Sequence, residues 1–571
     1  MSAAVDVLPI AISPVNTGMP LPLERFYFWE KNHPNKICFT QPMGGGDTLH
    51  LTWSDVGTQA RKVATYLKAQ GIEQGDRVAI LSKNCAHWIM SDLAIWMAGG
   101  VSVPIYPTSN AETVQQILEH SGSKLLFVGK LDTWDAMKQG VPASMKCVSY
   151  PLSPKNDFDT WNRICDQNEP LAENPPRTHQ ELGTIIYTSG TTGTPKGVMH
   201  TFGSMAAGAG QASTLYEVSS RDRVLSYLPL SHVAERMALE IVQFYQGTHL
   251  FFAESLETFA RDLQRCRPTI FFAVPRIWAK FRSGVYEKIP EKKFKLLMRI
   301  PFLNKYLGRK ILQGLGLDYC RFALSGAAPI SADLMEWYQS LGLELLEVYG
   351  MTENLGYSHA TRRGRSRIGY VGQPNPGVEV RLGENNEILV KSPCTMVGYY
   401  KDPEKTAEAL DGNGFIHTGD VGSIDDDGAL RITGRVKEIF KTSKGKYVAP
   451  FPIENHLLAN PHVEQVCVVG AGLPQPIAIV MLTDADRALL AKGGGREEIT
   501  SSLEELLAAV NPKLDAHEKL AALVISQSEW TTENGILTPT LKIKRNVLEA
   551  KYQHQLEDYA ERRGEVLWES A

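Results

Sequence analysis

The sequence has no cysteines in CxxC spacing: its eight cysteines, at 38, 85, 147, 165, 266, 320, 394 and 467, are scattered through 571 residues. That argues against a disulfide framework and a zinc site of the usual spacing, and it points to a reducing compartment. Neither sign of charge is in excess. A formal net charge of −4 gives no reason to expect a nucleic-acid partner. A clean run of ~20 apolar residues, as a transmembrane helix needs, is missing. The most apolar long window, WIMSDLAIWMAGGVSVPIY (88–106), carries Asp92 and the Gly99-Gly100 pair. It reads as a buried helix followed by a strand. The N-terminal MSAAVDVLPIAISPV has no basic leader region, so no secretory signal is expected and the chain is placed in the cytoplasm. No repeat of about 20–50 residues and no long low-complexity tract is visible.

What remains is an ordinary soluble composition, 43% hydrophobic and 21% charged, long enough for several domains. Short apolar runs alternate with amphipathic ones, the pattern of an α/β architecture. DRVAIL (76–81), KLLFVG (124–129), TIIYTS (184–189), TIFFAV (269–274) and ELLEVYG (344–350) are each bounded by turn residues and read as buried strands. SADLMEWYQSLG (331–342) reads as a helix with Ser331 as N-cap and Gly342 as stop. Charge density jumps at LRITGRVKEIFKTSKGKY (430–447), and the segments after it are short. A large N-terminal α/β part and a small α+β C-terminal part joined by a hinge follow from this.

The stretch YTSGTTGTPKG (187–197) follows an apolar run and combines five Ser and Thr hydroxyl side chains with three glycines and a lysine. It is not a Walker A loop: Pro195 precedes Lys196 where glycine is required, and Gly197 follows it where Ser or Thr is required. The dinucleotide fingerprint GxGxxG is absent too. The phosphate logic survives, because glycines let backbone N–H groups approach an anion and hydroxyls add donors.

This loop closely resembles the signature of the adenylate-forming (AMP-binding) superfamily of acyl-CoA synthetases, adenylation domains and luciferases. LSGAAPIS (324–331), VYGMTEN (348–354), HTGDVGSID (417–425), TGRVKEIFKTSKGKYVAP (433–450) and LTPTLKIKR (537–545) resemble further motifs of that family in its order. The likeness runs from LTWSDV (51–56) to residue 545. It implies a multi-subdomain N-terminal adenylate-forming domain (1–434), a hinge (435–437) and a small mobile α+β C-terminal lid (438–571). It also implies ATP, Mg²⁺ and coenzyme A as cofactor and co-substrates.

Residue by residue, the resemblance implies that Thr188, Ser189, Gly190, Thr191, Thr192 and Lys196 meet the β- and γ-phosphates of ATP. Glu353, with Thr188, is the magnesium ligand, and Thr352 donates to the α-phosphate. Gly326, Ala327 and Ala328 form a slot for adenine, with Tyr349 and Gly350 against it. Asp420 accepts from the ribose, Arg435 contacts ribose or phosphate, and Lys441 belongs to the same nucleotide-binding set. His232 in YLPLSHVAERM lies near the acyl carboxylate or is a satisfied core histidine. Where many members carry a glycine-lysine pair, this chain has Thr540, so Lys542 or Lys544 must bring the neutralising charge. Lys542 is favoured, as in the long-chain branch, and Lys437 matches the hinge position.

LPLSHVAER, AVPRIWAKF, KTSKGKYVAP and LTPTLKIKR resemble the long-chain fatty acyl-CoA synthetase branch. The implied function is ATP-dependent conversion of a fatty acid, through an acyl-adenylate, to an acyl-CoA with release of AMP and pyrophosphate. A shorter or aryl acid, or loading of a separate carrier protein, is the alternative; no GxDS-like attachment serine is present. SMAAGAGQAS (204–213) is poor in bulk and either leaves room for an acyl chain or allows close helix packing. EKIPEKKFKLLMRIPFLNKYLGRK (287–310), with eight basic and two acidic residues, reads as a peripheral membrane contact or a solvated helix face. A homodimer is left open.

Overall fold

Alternate residues along the strand Arg77–Leu81 enter different apolar layers. Val78 and Ile80 join one cluster, Ala79 and Leu81 another. Both faces are therefore covered, which is why the strand reads as an unbroken apolar run. The computed structural model describes residues 18–188, 195–328, 330–532, 534–538 and 542–569.

The strand lies in an eight-stranded sheet in the order Gly398–Tyr399, Lys196–Thr201, Leu182–Thr188, Val101–Ile105, Arg77–Leu81, Leu125–Val128, Lys146–Ser149, Asp159–Thr160. Its pairings from Leu182–Thr188 onward are parallel, and the two at the other end are antiparallel. A second sheet runs Ile270–Ala273, Phe322–Ser325, Leu345–Tyr349, His359–Ala360, Gln373–Pro374, with the first three strands parallel. Ile270, Phe272, Phe322, Leu324 and Leu346 of this sheet belong to the same cluster as Val78 and Ile80 of the first. One apolar layer is thus shared between two sheets. The helix Ala86–Met97 belongs to that layer, and all of its residues are buried. A helix buried on every side suits a layer with no solvent face. Among the described residues, no helix is long and apolar enough to cross a membrane.

A four-stranded antiparallel sheet, Glu379–Leu382, Glu387–Lys391, Ile416–Ile424, Leu430–Arg435, leads to the C-terminal part. There Val463–Val469, Ile477–Leu482, Ala522–Ile525 and Glu565–Trp568 form a smaller sheet, apolar on both faces. The helix expected at 331–342 spans Ala332–Ser340, with Ser331 at the N-cap position and Gly342 beyond it at φ +89°. The small-residue helix Phe202–Leu215 packs closely. A Cβ on Gly208 would lie 2.3 Å from Met237 Cε, and one on Gly210 would lie 2.3 Å from Met19 Cε. Of the two readings of this helix, close packing is the one seen here, with two flexible methionines filling the space.

Candidate active site

The parallel strands Leu182–Thr188, Phe322–Ser325 and Leu345–Tyr349 each deliver a loop at their C-terminal end, where α/β sheets hold ligands. The first is YTSGTTGTPKG. Its residues Ser189, Gly190, Thr191 and Thr192 lie outside the described residues. The strands flanking it are described, and their antiparallel register sets Thr188 directly opposite Lys196. The second loop begins with Gly326, where a Cβ would sit 2.7 Å from Val348 Cγ2 and 2.9 Å from Val348 O. Only glycine fits that approach. Ala327 follows at φ +65°, in the left-handed region that L-residues rarely adopt. Strain of this kind costs about 1–3 kcal/mol and concentrates at ligand sites. Ala328 completes the small-residue turn. In the third loop a Cβ on Gly350 would lie 2.4 Å from Gly356 C and O, so the backbone folds tightly back on itself before Thr352 and Glu353.

Side chains from distant parts of the chain converge on these loops. Tyr399 O–H donates to Glu353 Oε1 at 2.7 Å, and Lys196 Nζ stands 5.0 Å from the centre of the same tyrosine ring. Tyr399 thus links the first loop to the third. Burial, with the Glu353 charge beside it, raises its phenol above the ordinary range. His200 Nε2 lies 2.7 Å from Thr352 O; burial lowers the imidazole to about 4. The ring is therefore neutral at pH 7, and it donates to the carbonyl from Nε2.

Tyr349 O–H donates to Asp420 Oδ2 at 2.6 Å, while Arg435 Nε pairs with Asp420 Oδ1 at 2.9 Å. This follows from strand register, because Asp420 and Arg435 are cross-strand partners. The Asp420 charge raises Arg435 further, and burial followed by Asp420 raises Tyr349.

Lys542 enters the same cluster from the C-terminal part. Thr538 N–H donates to Lys542 O at 2.8 Å and Lys542 N–H returns a bond to Thr538 Oγ1 at 3.0 Å. The Lys542 side chain faces the solvent of the cleft, yet protein crowds it from the other sides. Burial and then the Arg435 charge lower its ammonium, against the attraction of Asp420, Glu353 and Glu438. Lys544 instead occupies the N-cap of helix Arg545–Tyr552, with its N–H bonded to Ile536 O at 2.8 Å.

His232 is the N-cap of a short turn and accepts from Ala234 N–H through Nδ1 at 3.2 Å. Burial and the nearby Lys542 charge lower it to about 4. With Nδ1 accepting, the neutral ring carries its proton on Nε2. Of the two readings of this histidine, the structure gives features of both: it is buried and hydrogen-bonded, and it is electrostatically coupled to Lys542. The segment beyond it is anchored by Arg236, buried between Asp92 and Glu240 and 5.2 Å from the ring centre of Trp88. Lys441 lies in the hairpin Phe440–Lys441/Tyr447–Val448, 5.6 Å from the centre of the Tyr447 ring.

Tyr399 and His200 were not anticipated from the sequence. The signal for Tyr399 was the MVGYY stretch (396–400), whose short strand pairs with the strand carrying Lys196. That pairing is visible only in three dimensions.

The arrangement holds two cations, Lys542 and Arg435, and two carboxylates, Glu353 and Asp420, around one cleft, with Lys196 at its edge. Such a site can bind a polyanion bearing a diol and stabilise charge developing on phosphate oxygens.

Comparison with known proteins adds three findings. Residues 26–400 match the family described as AMP-binding enzyme, and residues 437–563 match the AMP-binding enzyme C-terminal domain. Among curated relatives, the long-chain-fatty-acid–CoA ligase FadD15 of Mycobacterium bovis is 31% identical over 92% of this chain and 95% of that protein. Long chain acyl-CoA synthetase 7, peroxisomal, of Arabidopsis thaliana is 30% identical over 90% of this chain and 82% of that protein. Among solved structures, the anthranilate CoA ligase AuaEII in complex with anthranoyl-AMP superposes with a TM-score of 0.77 at 20% identity, covering 93% of this chain and 97% of that one. The A domain of carboxylic acid reductase from Segniliparus rugosus, in complex with AMP and a carboxylic acid, gives 0.78 at 22% identity, covering 95% and 94%. These structural likenesses establish the fold.

Proposed function

The chain belongs to the AMP-binding enzyme family, and from that premise we propose that it activates a long-chain fatty acid with ATP and transfers it to coenzyme A. The observation that carries this reading is the convergence of Lys542 with Glu353, Asp420, Arg435 and His232. In the first half-reaction the fatty carboxylate oxygen attacks the α-phosphorus, and the bond from that phosphorus to the bridging oxygen breaks. Acyl-adenylate forms and pyrophosphate leaves. In the second, the coenzyme A thiolate attacks the acyl carbon and AMP departs with the C–O bond pair.

The first step brings an anion to a polyanion, so positioning and charge neutralisation dominate it. Lys542 offsets the repulsion between carboxylate and α-phosphate. Lys196, Thr188 and residues 189–192 take the charge of the departing pyrophosphate, and Thr352 donates to the α-phosphate. Asp420, held by Tyr349 and Arg435, accepts from the ribose hydroxyls. Gly326, Ala327 and Ala328 leave a slot for the adenine plane. His232, neutral with a proton on Nε2, donates toward the acyl carboxylate without adding a charge.

Glu353 is anchored on one oxygen by Tyr399. A single oriented carboxylate suits a magnesium ion whose remaining ligands come from phosphates and water. Glu353, with Thr188, would hold it. When bound, magnesium supplies charge neutralisation across the phosphates.

The same reading makes 1–434 and 438–571 two bodies that turn about 435–437 between the half-reactions. It also concerns delivery of an insoluble substrate. The helices Glu291–Met298 and Leu303–Leu315 expose Leu296 (62%) and Tyr306 (62%), and Phe302 (86%) lies between them, among the basic residues of 287–310. Apolar tips with a basic surround suit peripheral contact with an anionic lipid surface on the cytoplasmic side.

The test is a panel of carboxylic acids from C2 to C20 plus aryl acids, assayed for pyrophosphate and AMP release with and without coenzyme A. Each buried methylene contributes about 0.8 kcal/mol, so kcat/KM is expected to rise from C8 to about C12–C16. A preference for acetate or benzoate would overturn the long-chain assignment and leave the adenylating site intact.

A further inference from the structure

The N- and C-terminal parts touch at a second place, through Arg276 and Glu464. Arg276 is the second residue of helix Pro275–Lys288. A helix N-terminus carries partial positive charge, so a cation is poorly placed there unless an anion faces it. Glu464 is that anion. It lies in the strand Val463–Val469, where Val463 pairs with Leu482 but Gln465 pairs with Met481. Two steps on one strand thus match one on the other, and Glu464 is the extra residue of a bulge. Bulges interrupt alternation and re-aim a side chain; here the carboxylate is turned toward Arg276.

The two partners differ in their surroundings. The Glu464 side chain is 9% exposed and that of Arg276 is 42% exposed. The other Glu464 oxygen lies 3.5 Å from Arg487 of the C-terminal part, which is itself held by Asp484 at 2.5 Å and Glu529 at 3.1 Å. If the two parts separate, Arg276 hydrates and Glu464 keeps Arg487. Neither charge is stranded, so the contact can be made and broken cheaply. A contact that fixes the C-terminal sheet against the N-terminal part also fixes where Lys542, carried by the same part, can reach.

We propose that Arg276 and Glu464 form an inter-domain latch that holds the C-terminal part in the orientation presenting Lys542 to the adenylation site. They are positioning residues for the first half-reaction and separate for the second. The proposal rests on the two-step reading above. A partly exposed ion pair biases such an equilibrium by up to about fivefold, which suits a contact remade every turnover.

The test uses the full-length protein with Arg276→Gln, Glu464→Gln and the double variant. Each single variant is expected to lower ATP–pyrophosphate exchange about three- to fivefold. The double variant should lose no more than either single, because both remove the same pair. Single-turnover reaction of preformed acyl-adenylate with coenzyme A should stay unchanged or quicken. Hydrogen–deuterium exchange at the start of helix 275–288 and in strand 463–469 should accelerate in all three variants, whatever acid the enzyme prefers. Unchanged pyrophosphate exchange, equal loss in both half-reactions, additive loss in the double variant or unaltered hydrogen exchange overturns the latch. If no acid supports turnover in the parent protein, it is the catalytic reading that fails, and hydrogen exchange still decides the latch. If Glu464→Gln proves unstable, Arg276→Gln, on a half-exposed side chain, carries the test alone.

Discussion

Lys542→Ala takes one cation out of a cleft that must bring a carboxylate to a triphosphate. Arg435 is then left with Asp420, Glu353 and Glu438, the three carboxylates whose attraction acts on Lys542 in the intact site. A unit charge about 4 Å from its partner is worth about 4 kcal/mol at an effective dielectric of about 20, or roughly a thousandfold in rate. Lys542 faces the solvent of the cleft on one side, which screens part of this, so a loss of about 10²–10³-fold in acid-dependent ATP–pyrophosphate exchange is expected. Single-turnover transfer from preformed acyl-adenylate to coenzyme A should change by less than about threefold, since no phosphate anion is attacked there. Burial and Arg435 hold the Lys542 ammonium below the ordinary lysine range. The protonated form does the work, so adenylation is fully supported below the folded pKa and is lost as pH rises through it. This places an alkaline limb below the range of an ordinary lysine. Lys542→Arg, which does not titrate in that range, should lack the limb. Full exchange in Lys542→Ala combined with its loss in Lys544→Ala would refute the assignment, as would equal damage to both half-reactions.

Lys196→Ala is expected to cost about 10²–10³ in pyrophosphate exchange, by analogy with removal of one transition-state donor, with the thermal midpoint unchanged; an unaltered exchange rate counts against its phosphate role. Lys437→Pro locks φ near −65° and should slow thioester formation far more than adenylation; thioester formation at full rate would move the hinge elsewhere. Sedimentation with anionic vesicles should be measurable at low salt, fall as salt is added, and fall again in the Lys292→Ala/Lys293→Ala/Lys295→Ala triple variant. No binding at low salt would make residues 287–310 a solvated face.

Much of the architecture was legible in the sequence because the strands are short apolar runs bounded by turn residues. DRVAIL, KLLFVG, TIFFAV and ELLEVYG became Arg77–Leu81, Leu125–Val128, Ile270–Ala273 and Leu345–Tyr349. The continuous rather than alternating apolar character of the first also foretold burial on both faces. Family membership was legible too, since six motifs in fixed order carry it. The choice between Lys542 and Lys544 could be argued only by resemblance; in the structure Lys542 is electrostatically coupled to Arg435, Asp420 and Glu353, and Lys544 caps helix Arg545–Tyr552.

What the tertiary structure alone decided are the contacts between residues far apart in the chain. Tyr399 and Glu353 are 46 residues apart, and His200 and Thr352 are 152 apart. Local pattern reports how a segment buries its own side chains; it carries no signal for which strand edge that segment will meet. The Asp420–Arg435 pair needed a strand register, Glu464 needed a bulge, and Gly350 needed a backbone 2.4 Å from its missing Cβ. The filling of the small-residue helix by Met19 and Met237 is of the same kind. Composition allows room beside glycine, but only packing determines whether a neighbouring side chain occupies it.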